Sequence, residues 1–439
     1  MAATLTSKII VSIRVAGAPD PERLGATVTT ADNDSKTDSL TGRRPRRSLS
    51  RSAAFAGMGV IFVAFLAAAA APSPLYVLYQ DEWHFPASLL SVAFAVYAFG
   101  LLATLLVVGK LSDYIGRRPV LIAALIAQIV AMTLLFTAGN IELVIVARVI
   151  QGLATGAATG ALSAALNDLA PAKKPSIGAV IASLAPLVGL ALGAALTGVV
   201  VQVSSHPITV VFVTLDVVFA IGLLIVVTAP ESVDRKPGAL RTLVPRVHVP
   251  RMAREEFVPG AFLLVGVWLT AGIYLGLIAQ VDRDILHLGT GYINGLLITI
   301  LAGTGALSVF ATTNVRPRTV AIAGAIALAV GVSFTGVAIA SHSLPLLVTA
   351  SVVAGVGFGL GFAGPIRLVS PLAQVHERSQ LFSAVYVVCY LTFGVPAIVA
   401  GWLVGLFTLM PVVVGYATLA AATSLIGLAA QVRRARADS

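Results

Sequence analysis

The sequence predicts an all-α membrane protein with twelve transmembrane helices in two six-helix bundles, and three observations support this fold class. The chain has 439 residues, of which 58% are hydrophobic and only 11% are charged, whereas about a quarter are charged in soluble proteins. Its apolar residues form long runs, each able to cross a hydrocarbon core about 30 Å thick. Its basic residues collect in alternate connections between these runs, as expected for a chain that threads a membrane repeatedly.

The order of elements follows from where the apolar runs begin and end. Residues 1–52 form a polar, basic tail without hydrophobic periodicity, which we expect to be disordered and to contain no cleavable signal peptide. Residues 53–229 are expected to form an N-terminal six-helix bundle, residues 230–258 a linker, residues 259–431 a C-terminal six-helix bundle, and residues 432–439 a second tail. The predicted spans are Phe55–Tyr79, Pro86–Val108, Pro119–Thr137, Leu143–Asn167, Ile177–Val203, Pro207–Thr228, Gly260–Val281, Leu288–Thr312, Thr319–Ala340, Leu344–Val369, Leu381–Phe407 and Pro411–Ala430.

The basic residues also predict the orientation. Of the 29 Lys and Arg residues, 27 lie in the two tails or in the even-to-odd connections, if Arg367 at the end of the tenth span is counted with the connection that follows it, while Arg283 lies on the other side and Arg148 lies within a span. Connections rich in Lys and Arg remain in the cytoplasm, so we expect both termini and the linker to be cytoplasmic in a multi-pass inner (plasma) membrane protein. The net charge of +10 is then a consequence of topology and not a sign of nucleic-acid binding.

Two similarities between the halves of the chain indicate an internal duplication. The run Arg118-Pro-Val-Leu-Ile-Ala opens the third span, and Arg318-Thr-Val-Ala-Ile-Ala opens the ninth. The small-residue run that begins at Gly152 in the fourth span matches one that begins at Gly355 in the tenth. Duplicated halves are characteristic of secondary transporters, in which one bundle rocks against the other around a site at the midplane.

The most specific motif joins the second and third spans and has the sequence Gly109-Lys-Leu-Ser-Asp-Tyr-Ile-Gly-Arg-Arg118. Gly109 and Gly116 permit a tight turn, and Asp113 lies among basic residues. Taken alone, the run is also compatible with an ordinary turn that carries cytoplasmic arginines. It resembles the G-x-L-x-D-x-x-G-R-R signature of the major facilitator superfamily, especially its drug-efflux-like twelve-helix members, and lies in the connection where that signature occurs.

This resemblance covers about residues 53–432 and implies a two-bundle fold that transports by alternating access. It also implies a conformational latch of the outward-facing state, in which Asp113 and Arg117 pair with each other and with an acid at the end of the fourth helix, where Asp168 is placed. The latch residues implied in this way are Gly109, Asp113, Gly116, Arg117, Arg118 and Asp168. The matching loop of the second half lacks the aspartate and the glycine, so any latch there is expected to be weaker.

Arg148 lies inside the fourth span, in the run Arg148-Val-Ile-Gln-Gly152. A charge within a membrane helix is costly and usually functional, and the run resembles the family's R-x-x-Q-G element. That resemblance implies a role in proton coupling or substrate binding for Arg148 and Gln151; snorkelling of Arg148 to the nearby surface is the alternative. Asp216 in the sixth span is placed to pair with Arg148 or to take up a proton, and a structural, hydrogen-bonded aspartate is the alternative.

Aromatic and polar residues of the first, fourth, seventh and tenth spans are candidates for contact with a solute, because these spans line the cavity of the implied fold. The cavity candidates are Phe65, Tyr76, Thr155, Trp268 and Tyr274, together with Gln151. For each of them, packing against lipid or a neighbouring helix is the alternative. Tyr386 and Tyr390 of the eleventh span are near the cavity or only structural. An apolar, aromatic cavity with one cation favours an amphipathic or hydrophobic solute over a sugar.

These observations predict a secondary active transporter that exports a small amphipathic or hydrophobic compound by alternating access, with proton antiport as one means of coupling. Uptake of a small metabolite is the first alternative. The alternative of another class is a non-transporting membrane scaffold or an intramembrane enzyme, although the sequence contains no phosphate loop, metal-ligand spacing or catalytic dyad. We expect no metal or other cofactor, no nucleic acid, a monomer, and a small-molecule solute, protons and membrane lipids as partners.

Overall fold

The computed structural model describes residues 49–239, 243–288, 291–374 and 377–437. These residues contain twelve helices that are long and apolar enough to cross a membrane, which confirms the predicted number of spans. They contain no β-strand, in agreement with the predicted all-α fold class. The predicted disordered tail lies outside the described residues as far as position 48.

The spans are numbered 1 to 12 in chain order. Spans 1–6 cover Arg51–Trp83, Ala87–Val108, Arg117–Phe136, Ile141–Leu169, Ile177–Val203 and Pro207–Thr228. Spans 7–12 cover Arg251–Asp284, Gly291–Ala311, Pro317–Ala340, Leu344–Leu372, Arg378–Leu406 and Leu409–Ala437. A short helix, Ser112–Ile115, lies in the connection between spans 2 and 3.

Spans 1 and 7, which occupy equivalent places in the two halves, are both interrupted. Span 1 consists of the helices Arg51–Ala70 and Pro72–Trp83, and a proline within a span removes one backbone hydrogen bond. Span 7 consists of the helix Arg251–Gly272, a π-helical segment Ile273–Leu277 and the helix Ile278–Asp284. Such π-helical segments occur frequently at functional sites.

Several helices extend beyond their predicted limits, and spans 7 and 12 show the largest extensions at one end. Span 7 begins at Arg251, inside the predicted linker 230–258, because Glu256 in its second turn is buried in ion pairs with spans 9 and 12. Span 12 continues to Ala437 and so includes most of the predicted tail that begins at residue 432. Hydrophobicity alone excludes such charged turns from a predicted span, although tertiary contacts make them helical.

The spans pack as two bundles. In the first, span 4 packs against spans 2 and 3, span 1 against span 5, and span 3 against span 6. In the second, span 10 packs against spans 8 and 9, and span 12 against spans 7 and 9. The bundles meet mainly through span 5 against span 8 and span 2 against span 11. Equivalent helices of the two halves therefore make the contacts between them.

The outer faces of the bundles are apolar. Span 6, for example, exposes Val213, Val217, Ile221 and Leu224, which lie three or four residues apart and therefore on one face of the helix. Large apolar side chains in such a stripe are stable when they face hydrocarbon. The surface is that of a multi-pass membrane protein.

Candidate functional site

The two ends of the molecule differ in charge. We use the name basic end for the end of the molecule at which Arg51, the loop 109–116 and the segments 230–239 and 243–250 lie together. There Arg51 Nη2 donates to the carbonyl of Asp168 (2.5 Å), and the backbone N–H of Lys236, in the segment after span 6, donates to a carbonyl of the loop at 2.8 Å. The other end, where span 1 is connected to span 2 and span 7 to span 8, is called the opposite end.

The bundles are joined at the opposite end by the outer parts of spans 1, 7 and 8. The Ser73 hydroxyl donates to the carbonyl of Leu275 (3.0 Å), and Asn294 Nδ2 donates to the carbonyl of Ser73 (3.1 Å). Nearer the surface, Arg283 Nη1 lies 3.5 Å from Asp81 Oδ1. Each of these contacts connects one bundle to the other, and we call the set the seal.

Spans 5 and 8 extend the seal by a close approach of their backbones. A Cβ atom on Gly295 of span 8 would lie 2.5 Å from the carbonyl oxygen of Ala194 and 3.0 Å from Cα of Gly198, both in span 5. Only a glycine permits so close a contact between helices. About one turn further along span 8, Thr299 Oγ1 donates to the carbonyl of Ala191 at 3.1 Å. The two bundles are therefore closed against each other from the opposite end to this level.

At the basic end the bundles enclose a cavity of about 410 Å³. Leu105 of span 2 and Gly160 of span 4 line it from the first bundle, and Phe382 and Tyr386 of span 11 line it from the second. Arg246, in the segment before span 7, also borders it. The molecule thus has a cavity between its bundles at the basic end and a seal at the opposite end.

Tyr386 of the cavity wall belongs to a group of aromatic side chains that come from both bundles. Tyr386 borders the cavity, and its ring centroid lies 6.3 Å from that of Tyr390, which lies 4.7 Å from that of Trp268. Phe393 contacts Trp268 with a centroid distance of 5.7 Å. From the first bundle, Tyr97 of span 2 packs in the same group as Tyr386 and Tyr390. We call these five residues the aromatic cluster; Tyr97 and Phe393 were not predicted from the sequence.

Of the five predicted cavity residues, the structure places only Trp268 in the aromatic cluster. Phe65 is fully buried and packs on Phe219 with a centroid distance of 5.2 Å. Tyr76 is 1% exposed and packs edge-on against Phe94. Two further predicted residues are also buried inside bundles: Thr155 donates to the carbonyl of Gln151 at 2.8 Å, and the Tyr274 hydroxyl lies 2.9 Å from Ser351 Oγ and 3.1 Å from Thr335 Oγ1. The prediction for these four residues is corrected accordingly, because it specified the span but not which side of the helix faces the cavity.

Arg148 is buried between spans 1, 2 and 4, with 1% of its surface exposed. Its Nη1 donates to Oε1 of Gln151, and its guanidinium carbon lies 4.1 Å from the ring centroid of Tyr97 and 5.8 Å from that of Phe94. These cation–π contacts stabilise a cation that is removed from water. A side chain this deeply buried does not snorkel to the surface, so that alternative does not apply.

Asp216 lies apart from Arg148. Its Oδ2 accepts a hydrogen bond from Thr133 Oγ1 of span 3 at 3.1 Å, whereas the contacts of Arg148 are with spans 1, 2 and 4. Among the described residues, no ion pair joins the two side chains. The predicted pairing of Arg148 with Asp216 is therefore not formed in this conformation.

Arg117 brings the predicted latch residues together at the start of span 3. Its Nη1 donates to Asp113 and to Ser112 Oγ (2.7 Å), and its Nε donates to Asp168 Oδ2 (3.2 Å). The Arg117 side chain is 10% exposed. All of these residues belong to the first bundle, and their contacts exist while the cavity is present at the basic end. Their role in stabilising one conformational state stays a prediction.

Glu231 completes this cluster, although it was not predicted from the sequence. Its carboxylate accepts hydrogen bonds from the backbone N–H groups of Arg117 (2.9 Å) and Arg118 (3.1 Å). These two N–H groups lie at the N-terminus of span 3 and have no acceptor within the helix. Arg118 in turn donates through Nε to the carbonyl of Val226, at the end of span 6 (3.2 Å). Gly116 has a φ of +101°, and this left-handed backbone turns the chain into span 3. Gly109 lies at the end of span 2 and borders the cavity.

The second bundle has an ion network of its own at the basic end. Glu256 of span 7 lies 2.7 Å from Arg318 of span 9 and 3.0 Å from Arg434 of span 12, oxygen to nitrogen. Span 7 therefore supplies the acid that the loop of the second half lacks. Arg318 occupies the position in the second half that Arg118 occupies in the first. This match is the feature of the sequence that could have indicated a charged cluster here.

The protein has two similar six-helix bundles with a cavity between them at the basic end. This arrangement defines the class of membrane protein to which it belongs. The family model of the Major Facilitator Superfamily matches residues 54–316. Because the match covers more than half of the chain, the protein belongs to this superfamily. This confirms the family that the loop 109–118 indicated.

Characterised relatives are distant. The chain is 26% identical to the multidrug resistance protein MdtL of Escherichia fergusonii over 311 residues, which cover 65% of this chain and 74% of that protein. It is 30% identical to MdtL of Citrobacter koseri over 108 residues, and this match spans only 23% of the chain and 28% of the relative's length.

Two solved structures share the fold. The xylose transporter XylE from E. coli, in a partially occluded inward-open conformation, has a TM-score of 0.65 at 16% identity, covering 85% of this chain and 96% of its own. A bacterial homologue of the human lysosomal transporter Spinster, in an inward-facing conformation, has a TM-score of 0.68 at 11% identity, covering 89% of this chain and 98% of its own. At such identities the likeness shows the fold alone.

Proposed function

We propose that this protein is a secondary active transporter that exports a small amphipathic or hydrophobic compound by alternating access. The basic end is assigned to the cytoplasm, because 27 of the 29 Lys and Arg residues lie in the tails and connections of that side or at the span ends next to them. In this orientation the cavity faces the cytoplasm and the seal faces outward. The conformation is then the inward-facing state, in which an exporter takes up its solute.

The aromatic cluster supports the proposed class of solute. Trp268 and Tyr390 belong to one bundle and Tyr97 to the other, so a compound held among their rings contacts both halves of the molecule. Aromatic faces attract apolar rings and organic cations. The cavity at the basic end is itself lined by polar as well as apolar side chains, among them Lys110, Arg246 and Ser379. The proposed preference for an amphipathic or hydrophobic solute therefore rests on the aromatic cluster.

The direction of transport and its coupling are part of the proposal. Export is supported by the similarity to MdtL, whose name describes multidrug resistance. Proton exchange is the proposed driving force. Arg148 has no carboxylate in contact among the described residues, and a cation at this place does not itself carry a proton across the membrane. Asp216, a carboxylate within span 6, is our candidate for that role.

Transport into everted membrane vesicles tests the function. Vesicles that contain the protein, energised with an inward-acidic pH gradient, are expected to accumulate ethidium, and collapse of the gradient should stop the accumulation. Trp268→Ala should raise KM about fivefold, since an aromatic contact contributes about 1 kcal/mol. Asp216→Asn should remove the dependence on the pH gradient.

Trp402 provides the matched control. It lies on the same span as Tyr386 but is 63% exposed on the outer face, so Trp402→Ala should leave KM unchanged. Accumulation in right-side-out vesicles instead would establish uptake. A lack of gradient-dependent movement of ethidium and of a panel of amphipathic dyes in either preparation would contradict the proposal and favour a scaffold.

A further inference from the structure

Span 1 contains a backbone carbonyl without its normal helical partner. In a helix, the carbonyl of Ala68 accepts the N–H of the residue four positions later, but that residue is Pro72, which has no N–H. The first helix of span 1 ends at Ala70, and the next begins at Pro72. Because hydrocarbon offers no water as a substitute, such a carbonyl needs another donor from the protein.

Gln151 of span 4 supplies this donor. Its Nε2 donates to the carbonyl of Ala68 at 2.8 Å, and its Oε1 accepts from Nη1 of Arg148. An arginine side chain can only donate, so Arg148 holds the amide oxygen on its own side and directs the amide nitrogen toward Ala68. Gln151 is fully buried and Arg148 is 1% exposed, so water does not replace either contact.

The outer helix of span 1, beyond this break, makes the seal. Ser73, the residue directly after Pro72, donates to the carbonyl of Leu275 and accepts from Asn294. Leu275 lies in the π-helical segment of span 7, where the bond from Ile278 N–H to the Ile273 carbonyl spans five residues. The two interrupted spans therefore contact each other at their interruptions.

In the second half a side chain of span 10 also contacts the interrupted helix, although it binds a side chain there and not a backbone carbonyl. Tyr274, in the π-helical segment of span 7, is held by Ser351 of span 10 at 2.9 Å. Ser351 follows Arg148 by about two hundred residues and occupies the matching place in the duplicated half. In each half, the helix with the buried polar group, span 4 or span 10, thus supports the broken helix that forms the seal.

We propose that Arg148 and Gln151 are positioning residues for the break in span 1. Gln151 replaces the missing N–H of Pro72, Arg148 orients Gln151, and the outer helix Pro72–Trp83 is thereby held where Ser73 meets span 7. Arg148 then acts on closure of the outward face and contacts neither solute nor proton. The role of these residues in closure rests on the proposed alternating access. The replacement of the missing N–H of Pro72 by Gln151 is independent of it.

A cycle of substitutions tests the replaced hydrogen bond by thermal stability of the purified full chain. Gln151→Leu should lower the melting temperature, and adding Pro72→Ala should recover at least half of the loss, because the new alanine supplies the N–H that the Ala68 carbonyl lacks. Gln151→Glu keeps a partner for Arg148 but leaves the Ala68 carbonyl without a donor, so it should also lower the melting temperature, and Pro72→Ala should recover at least as large a share of its loss as of the loss in Gln151→Leu. Additive losses, or wild-type stability of Gln151→Glu, would overturn the proposal. If Gln151→Leu does not fold, the double variant must fold, and its failure would also overturn it.

The effect on closure is measured by distances and not by transport. Spin labels at Glu82→Cys and Leu288→Cys, two exposed positions on either side of the seal, should report a broader and longer distance distribution in Gln151→Glu and in Ser73→Ala. Ser183→Ala, which removes only a bond within its own helix, is the control and should leave the distribution unchanged. An unchanged distribution in Gln151→Glu would refute the role in closure. Neither readout depends on the solute, so a failure of ethidium transport would be a separate result.

Discussion

Replacing Glu256 by Gln tests whether one carboxylate holds the basic end of the second bundle together. Glu256 Oε1 lies 2.7 Å from Arg318 Nη2 and 3.0 Å from Arg434 Nε. The Glu256 side chain is 9% exposed, and those of Arg318 and Arg434 are 20% and 31% exposed. Spans 7, 9 and 12 are therefore connected through a single, largely buried group.

The magnitude follows from what the substitution leaves behind. Glutamine keeps the shape and one acceptor oxygen but removes the negative charge, so two guanidinium groups then face each other without this counter-ion. Removing one partner of a buried ion pair costs about 3–5 kcal/mol. Water reaches both arginines in part and compensates some of this loss, so we expect the free energy of unfolding to fall by about 2–3 kcal/mol.

Glu255 offers a matched control in the neighbouring position. Its carboxylate lies 2.9 Å from Arg434 Nη2, but its side chain is 73% exposed, so Glu255→Gln should cost only about 0.5 kcal/mol or less. Titration of both variants with SDS, in mixed micelles, gives the two free energies of unfolding. Equal losses for the two variants would refute the argument that burial of the shared carboxylate decides its contribution.

Three further substitutions test other contacts. Gly116→Ala should lower the free energy of unfolding by about 1–3 kcal/mol in the same titration, because φ is +101° and the new Cβ would lie 2.5 Å from a carboxylate oxygen. Gly238→Ala is the control: its φ is +92° and no atom lies within 4 Å of the new Cβ, so it measures the contribution of the backbone conformation alone. Gly295→Leu should separate spans 5 and 8 and raise the reactivity of a cysteine introduced at the opposite end, whereas Gly303→Leu, on the same helix with nothing within 4 Å, should not. Asp113→Asn should slow ethidium transport by shifting the conformational equilibrium, and unchanged turnover would remove the latch role of that residue.

The fold was predictable because its signals are long and redundant. Twelve apolar runs and the placement of the basic residues specify the number of spans, and the loop 109–118 indicates the family. The same loop also identified Asp113 and Arg117, because their spacing is local. Glu231 and Glu256 lie more than sixty residues from the arginines they bind, at 114 positions from Arg117 and 62 from Arg318. No local pattern in a single sequence reports a contact over such a separation.

The rotation of each span about its own axis was the least predictable feature. A helix in water buries its apolar face, and this periodicity shows which residues point inward. In a membrane both faces are apolar, because one packs against helices and the other against lipid. Phe65 and Tyr274 therefore carried no signal that distinguishes a bundle interior from a cavity wall, and the same holds for Tyr97, which the structure places in the aromatic cluster.

The distribution of strong and weak contacts favours movement of the bundles as rigid bodies. The charged cluster around Glu256 connects helices of one bundle only, so it can persist while the bundles separate or approach. The contacts that close the opposite end are of another kind: two hydrogen bonds at Ser73, one from Thr299 to the Ala191 carbonyl, a half-exposed ion pair of Asp81 with Arg283, and backbone contacts at Gly295. Each contributes little and has a ready substitute in water or in a new neighbour. An alternating-access cycle that breaks the second set and keeps the first requires no rearrangement inside either bundle except at the interruptions of spans 1 and 7.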